Sequence, residues 1–330
     1  MSVRVSAIHP PCAIEGGRLT IHGTGFPIDG PSLPEVRVGG QPARLVHASS
    51  TQLSAIVPAG LAAGRAAVRL AGMPDDDSGF VEIAAPFANG LHQVDNPVFD
   101  RDGNLYVTFS GTRGQQVPVS IFRVRANGSR EPFSSGIVNP TSMAIDPQNR
   151  LYVSSRFEGT VYRVSPDGTT EPFAHDLGVA CGLAFSPDGM LFVGDRSGTI
   201  FKVDDRGQAV TFASLPPSVA AFHLAFGRDG ALHVTGPTLS SYDALYRIAA
   251  DGTVTTREAR FGRPQGLAFD PAGALFVVEA LAGASGLYRV PASGAPELVL
   301  SGPGLVGVAF DAAGTMVVAA NDTAYRLTRI

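Results

Sequence analysis

The chain of 330 residues contains no tryptophan, a single lysine (Lys202), two cysteines and five methionines. Each scarcity excludes something. Without tryptophan, no repeat signature built on that residue can be present. With one lysine, positive charge is carried by arginine, and no polybasic run exists to grip a phosphate backbone or an anionic membrane surface. The net charge of −4 also argues against nucleic acid. No stretch of about 18 apolar residues could cross a membrane as a helix. The opening MSVRVSAIHPP lacks the charged region and apolar core of an export signal. The chain therefore reads as soluble, with a cytoplasmic location and a secreted mature form both open. Cys12 and Cys181 fall in different predicted units, so no disulfide is expected between them.

What is abundant is glycine (39 residues) and proline (25), while charged residues make up only 16%, a composition suited to a turn-rich all-β fold. A unit of about 42 residues recurs six times from Asn96 onward. Its first segment reads NPVFD from Asn96, TSMAID from Thr141, CGLAFS from Cys181, FHLAFG from Phe222, QGLAFD from Gln265 and VGVAFD from Val306. A turn and a second apolar run follow, such as LYV from Leu105 or LFV from Leu275. A third segment runs from FRV at Phe122 in the first copy to YRL at Tyr325 in the last. Short strands at this period are the signature of a β-propeller, and six copies predict a six-bladed one.

The first and second strands are linked by DRDG, DPQN, SPDG, GRDG, DPAG and DAAG, and glycine turns such as Asp167-Gly168 join third to fourth. Consecutive strands reverse direction, so both sets of tight turns lie on one face. The longer second-to-third and fourth-to-first connections share the other. Pro86, Pro132, Pro172 and Pro296 fall in the fourth segment, which places it on the rim, where proline is tolerated. The last copy stops after its third strand. Residues 84 to 88, whose Pro86-Phe87-Ala88 repeats Pro172-Phe173-Ala174, are expected to supply the missing outer strand and close the ring.

Residues 1–83 carry no copy of the unit. LTIHGTGF from Leu19, VRVGG from Val36, LSAIVP from Leu53 and AAVRL from Ala66 alternate apolar and polar residues between Gly and Pro turns, which suggests a small β-sandwich. Pro10-Pro11, Gly16-Gly17, Gly23-Thr24-Gly25-Phe26, Gly39-Gly40 and Val57-Pro58, in that order, resemble the TIG/IPT immunoglobulin-like domain. The acidic stretch from Asp75 to Gly79 marks the boundary. The expected organisation is an immunoglobulin-like sandwich over 1–83 and a six-bladed propeller over 84–330.

Residues present in every copy build the blade, so function is sought where the copies differ on the loop-rich face. That removes Arg123, Arg163, Lys202, Arg247, Arg289 and Arg326, one per copy. It also removes His233, which stands where other copies have tyrosine or phenylalanine. The pore-side positions Asp95, Thr141, Cys181, Phe222, Gln265 and Val306 differ, with Asn96, Ser142 and His223 beside three of them. The connections around them add Arg113, Arg156, Glu158, Asp195, Arg196, Arg263 and Glu279. Three chemistries are open. Oxygen ligands converging with Asp95 would hold a hard cation such as Ca²⁺. Arg113, Arg156, Arg196 and Arg263 suit a carboxylate or phosphate ligand, against the simpler expectation that they form rim ion pairs with Glu158, Asp195 and Glu279. Acid/base or nucleophilic work would fall to Asp95, His223 and Cys181, with a small core residue as the plainer reading of the cysteine.

The segment GLAFSPDGMLFVGD from Gly182, with the YRV segment and its glycine turn, resembles NHL repeats and the gluconolactonase and regucalcin group of six-bladed propellers, over about 245 residues. The missing tryptophan sets WD repeats aside. The gluconolactonase resemblance implies a lactone or ester hydrolase with a divalent cation at the pore mouth that polarises the carbonyl and activates water. Asp95 matches that family's first metal ligand. Cys181 and Gln265 stand where its asparagine and aspartate would be, and a thiol or a neutral amide serves a hard cation poorly. Two functions stay open. One is a small-molecule hydrolase with Asp95 and His223 as catalytic residues and Thr141, Cys181, Gln265 and the loop charges as the binding shell. The other is a non-catalytic scaffold whose loop face recognises a ligand or protein partner.

Overall fold

The computed structural model describes residues 3–30, 32–71 and 79–327. The expected boundary residues Asp75 to Ser78 lie outside the described residues, and Gly79 opens the strand Gly79–Ile83. In the N-terminal unit the strands Arg4–His9, Arg18–Thr24, Gln52–Ile56 and Gln41–Ala48 pair antiparallel in that spatial order. Gln41–Ala48 also pairs at its start with Val36–Val38, which continues to Gly64–Leu70 and Gly79–Ile83. A register shift between Leu45 and His47 marks where this long strand bends between the two halves. Alternation then follows from the pleat: Leu19 and Ile21 point inward with Leu53, Ala55, Val36, Val38, Val68 and Val81 to form one core.

Five four-stranded antiparallel sheets stand free as blades. Four are built from consecutive strands, beginning with Val98–Phe99, Pro140–Ile145, Ala180–Phe185 and His223–Phe226. The fifth combines Leu305–Phe310, Met316–Ala320 and Thr323–Leu327 with the earlier strand Ala85–Asn89, paired as Ala324 with Ala88 and Tyr325 with Pro86.

The expectation of six blades is thereby corrected to five. The copy containing Pro264–Phe269, Leu275–Glu279, Gly286–Val290 and Glu297–Ser301 forms no sheet of its own but is one end of a twelve-stranded sheet. The two-residue strand Cys12–Ala13 pairs in parallel with Glu297–Ser301 on one side and Gly79–Ile83 on the other, opposing Cys12 to both Leu300 and Glu82. The outer strand of that copy would otherwise present an open row of N–H and C=O groups, and the N-terminal segment covers it. No comparison among the copies could reveal this, because the covering strand lies outside them.

Between neighbouring copies, aromatic rings meet edge to face. Tyr152 lies 5.1 Å from Phe173 and 5.0 Å from Phe185 of the next copy, and Phe192 repeats the pattern with Phe212 and Phe226. His233 takes the same place against Phe269 at 5.1 Å, and burial lowers its pKa. It is a packed ring of the fold.

Candidate functional site at the loop-face pore mouth

One column of the first strands carries Asn96, Ser142, Gly182, His223, Gly266 and Gly307. The Asn96 side chain uses the space left by Gly266, where a Cβ would sit 2.2 Å from its Oδ1. Asn96 donates through Nδ2 to the Leu267 carbonyl at 2.8 Å and accepts from Val308 N–H at 2.9 Å, tying three copies together. A Cβ on Gly307 would sit 2.6 Å from the Asp95 carbonyl oxygen, so this close approach requires glycine. Ser142 accepts from Leu183 N–H at 3.0 Å. His223, in the fourth copy, reaches across to the first: its Nδ1 is 2.5 Å from Asp95 Oδ1, which also accepts from Asn96 N–H at 2.7 Å. The buried Gln93 supports the same turn, donating to the Asp95 carbonyl at 2.6 Å while accepting from Thr108 N–H at 2.8 Å.

These contacts close the pore mouth. His223 is 0% and Asp95 2% exposed, and Nε2 of His223 is buried with no hydrogen-bond partner. Thr141 is buried, with its hydroxyl donating to the Asn139 carbonyl at 3.0 Å. Gln265 is buried, and its carbonyl accepts from Thr235 Oγ1 at 2.5 Å. Cys181 lies near Asp95, Arg156, Arg196 and Asp195. Burial pushes its thiol up to about 12, outweighing the two guanidinium groups that pull it down. Phe222 is fully buried.

The expectation of a metal-binding pore is also corrected. Among the described residues no three His, Cys, Asp or Glu side chains gather as a metal site requires. Asp95 is already engaged by an imidazole and a peptide N–H, and Cys181 is a neutral thiol, so the residues present do not fit a hard cation.

The loop carboxylates do not pair with the loop arginines. Asp195 accepts from Val179 N–H at 2.7 Å and from the Ser197 hydroxyl. Glu279 accepts from Gly262, Arg263 and Leu281 N–H at 2.6, 2.9 and 2.7 Å, and Glu158 accepts from the Tyr162 hydroxyl at 3.0 Å. Both Asp195 and Glu279 are buried, and each pins one copy's fourth-to-first connection to its own second-to-third loop. Arg113, Arg196 and Arg263 are exposed and Arg156 half-buried, and none has an ion-pair partner among the described residues. Their backbones are fixed. Asn139 braces the Arg113 loop through Gly114 N–H, Ser110 O and Thr112 O, and Arg196 N–H donates to the Val179 carbonyl at 3.1 Å. Arg156 also acts on His92, whose pKa is lowered by burial and by that guanidinium.

The same face carries apolar groups that repeat comparison did not single out. Phe157 is 52%, Tyr242 63%, Leu239 92% and Leu281 43% exposed. The signal was present in PTLSSYD from Pro237, a second-to-third connection that carries large apolar residues where a loop needs none.

Residues 4–74 match the IPT/TIG domain family. The N-terminal unit is an IPT/TIG domain. A search of curated proteins finds no match to the chain. Among solved structures, an auxiliary nutrient binding protein from Bacteroides thetaiotaomicron is similar over 99% of this chain and 98% of its own, with 13% identity and a TM-score of 0.59. Virginiamycin B lyase from Staphylococcus aureus is similar over 75% of this chain and 96% of its own (15% identity, TM-score 0.55). A gluconolactonase candidate is similar over 74% and 90%, at 17% identity and a TM-score of 0.60. At these identities the likeness is one of fold. Beside the IPT/TIG domain, then, the rest of the chain is a β-propeller, the fold in which these solved structures are similar to it.

Proposed function

We propose that this protein is a non-catalytic recognition module whose propeller loop face docks a protein partner offering carboxylates among apolar side chains. The observation that carries this reading is the closed pore mouth beside an open, arginine-bearing loop face. Asp95, His223 and Cys181 are withdrawn from solvent, so a lactone could not reach them without opening the ring. Arg113, Arg196 and Arg263 remain exposed and have no ion-pair partner among the described residues, with Phe157, Leu239, Tyr242 and Leu281 on the same face. Arginine and aromatic side chains on braced loops are the residues that dominate protein interfaces, because little order is lost when they bind. A lactonase at the pore is the weaker reading, since its catalytic groups are spent on holding the ring together. The division into 1–83 and 84–330 then describes a rigid arm and a recognition head, joined through Cys12–Ala13.

The test uses an immobilised random copolymer of glutamate and tyrosine, which offers carboxylates and aromatic rings. Binding at low ionic strength is expected to fall about tenfold or more in Arg156→Glu/Arg196→Glu. Equal binding by that variant, or lactone hydrolysis by the parent that a folded Asp95→Asn variant loses, would overturn the reading.

A further inference from the structure

Between the IPT/TIG domain and the copy fused to it lies a cleft of about 700 Å³, within the range of small-molecule sites and at a domain junction, where such sites concentrate. One wall comes from the N-terminal unit, with Val46 and Ile56. The other comes from the propeller, with Tyr288, Leu298 and Pro303. Val46 is 44% exposed, an apolar side chain facing open space in a domain whose other core valines are fully covered.

The cleft is built rather than left over from loose packing. Its two walls are stitched at the base: Ile14 N–H donates to the Ser301 carbonyl at 3.0 Å, and Arg18 N–H donates to the Ser301 hydroxyl at 2.5 Å. A Cβ on Gly17 would stand 2.4 Å from that same carbonyl oxygen, so the approach tolerates only glycine. On the propeller side, the Tyr288 hydroxyl donates to the Ala284 carbonyl at 2.8 Å and fixes the ring against its own loop. The opening therefore exists before any ligand arrives.

Its charge is one-sided. Arg18 lines the cleft, reaches only the Ser54 hydroxyl at 3.4 Å, and has no ion-pair partner among the described residues. Among the described residues no carboxylate lines the cleft. We propose that this junction is a binding site for a small amphipathic organic anion, its apolar body between Val46, Ile56, Leu298 and Tyr288 and its carboxylate or sulfonate on the Arg18 guanidinium. A guanidinium pairs with such groups in a planar, bidentate manner, and the exposed Arg18 side chain is open to a ligand at the rim of the cleft. The cleft borders the loop face through the connection 280–285, where Ala280 N–H donates to the Arg263 carbonyl at 3.1 Å, but none of Arg113, Arg156, Arg196 and Arg263 lines it.

Two dyes with related ring systems separate the contributions. 8-Anilinonaphthalene-1-sulfonate carries the anion, and N-phenyl-1-naphthylamine lacks it. The folded full-length protein is expected to bind both saturably, read as fluorescence enhancement. Arg18→Gln should weaken the sulfonate by about tenfold, the scale of one charge-assisted pair, and leave the neutral dye unchanged. Ala282→Trp, on an exposed loop position, should fill the cleft and remove binding of both. Val46→Trp repeats this from the opposite wall should the first variant fail to fold by circular dichroism. The proposal is overturned by absence of saturable binding to the folded parent, by equal affinity in Arg18→Gln for the sulfonate, or by undiminished binding in a folded tryptophan variant. Loss of dye binding in Arg156→Glu/Arg196→Glu would move the site to the loop face and overturn it equally.

Discussion

Replacing Asp95 by alanine tests whether the carboxylate is a structural pin across the propeller. Its Oδ1 accepts from His223 Nδ1 at 2.5 Å and from Asn96 N–H at 2.7 Å, in a place where both side chains are almost completely out of solvent. Asp95→Ala leaves two buried groups without a partner, each worth about 1–3 kcal/mol when orphaned. The sum, about 2–6 kcal/mol, brackets the cost of about 3–5 kcal/mol for removing one partner from a buried pair. Removing the imidazole as well eliminates one of the orphans. The double variant Asp95→Ala/His223→Ala should therefore be less destabilised than the sum of the two single variants by about 1–3 kcal/mol. Urea unfolding followed by far-ultraviolet circular dichroism measures all four proteins, which suits a chain without tryptophan. Strict additivity would refute the reasoning, as would an Asp95→Ala stability within about 0.5 kcal/mol of the parent, the range of an ordinary surface substitution.

The fused sheet makes the two units one cooperative body, so calorimetry should record a single transition. Ile14→Pro, which removes the N–H that donates to Ser301, should split it in two, and two transitions in the parent would contradict the fusion. Both cysteines are buried, with burial pushing Cys12 up to about 11 and Cys181 up to about 12. A raised pKa removes thiolate at lower pH, so neither should react with a disulfide reagent at about pH 8 until the protein is denatured; prompt reaction of the native protein would contradict this burial. Glu279→Ala orphans three backbone N–H groups around Arg263 and should cost about 2–4 kcal/mol in urea unfolding. Gly307→Ala forces a Cβ against the Asp95 carbonyl and should cost about 1–3 kcal/mol by the same measurement, with an unchanged midpoint as the adverse result.

The strands of the repeat were legible because their code is local. LAF, LYV and YRV recur with the same turns, each copy satisfies the same pleat, and edge-to-face rings recur in several of them. The residues at the pore were legible as exceptions to that code, and Asp95 and His223 stood out for this reason. Their relation was not. The two are 128 positions apart, in the first and fourth copies, and pairing arises only when the ring closes and glycines at 266 and 307 let the first strands approach. A carboxylate read as a metal ligand was already occupied. The rim ion pairs expected for Arg113, Arg156, Arg196 and Arg263 failed for a related reason. Asp195 and Glu279 look like free charges in a sequence, but they are buried and backbone N–H groups of two loops converge on them first.

The sequence by itself determined an all-β chain with a repeated four-strand unit and an IPT/TIG domain before it, since periodicity, turn residues and composition depend on near neighbours. Only the tertiary structure decided that five blades stand free, that the remaining copy continues through Cys12–Ala13 into the first domain, and that the pore is pinned shut. Each of these depends on which unpaired edge or buried polar atom finds a partner far along the chain, and hydrogen-bond satisfaction at such distances leaves no periodic trace in the residues that provide it.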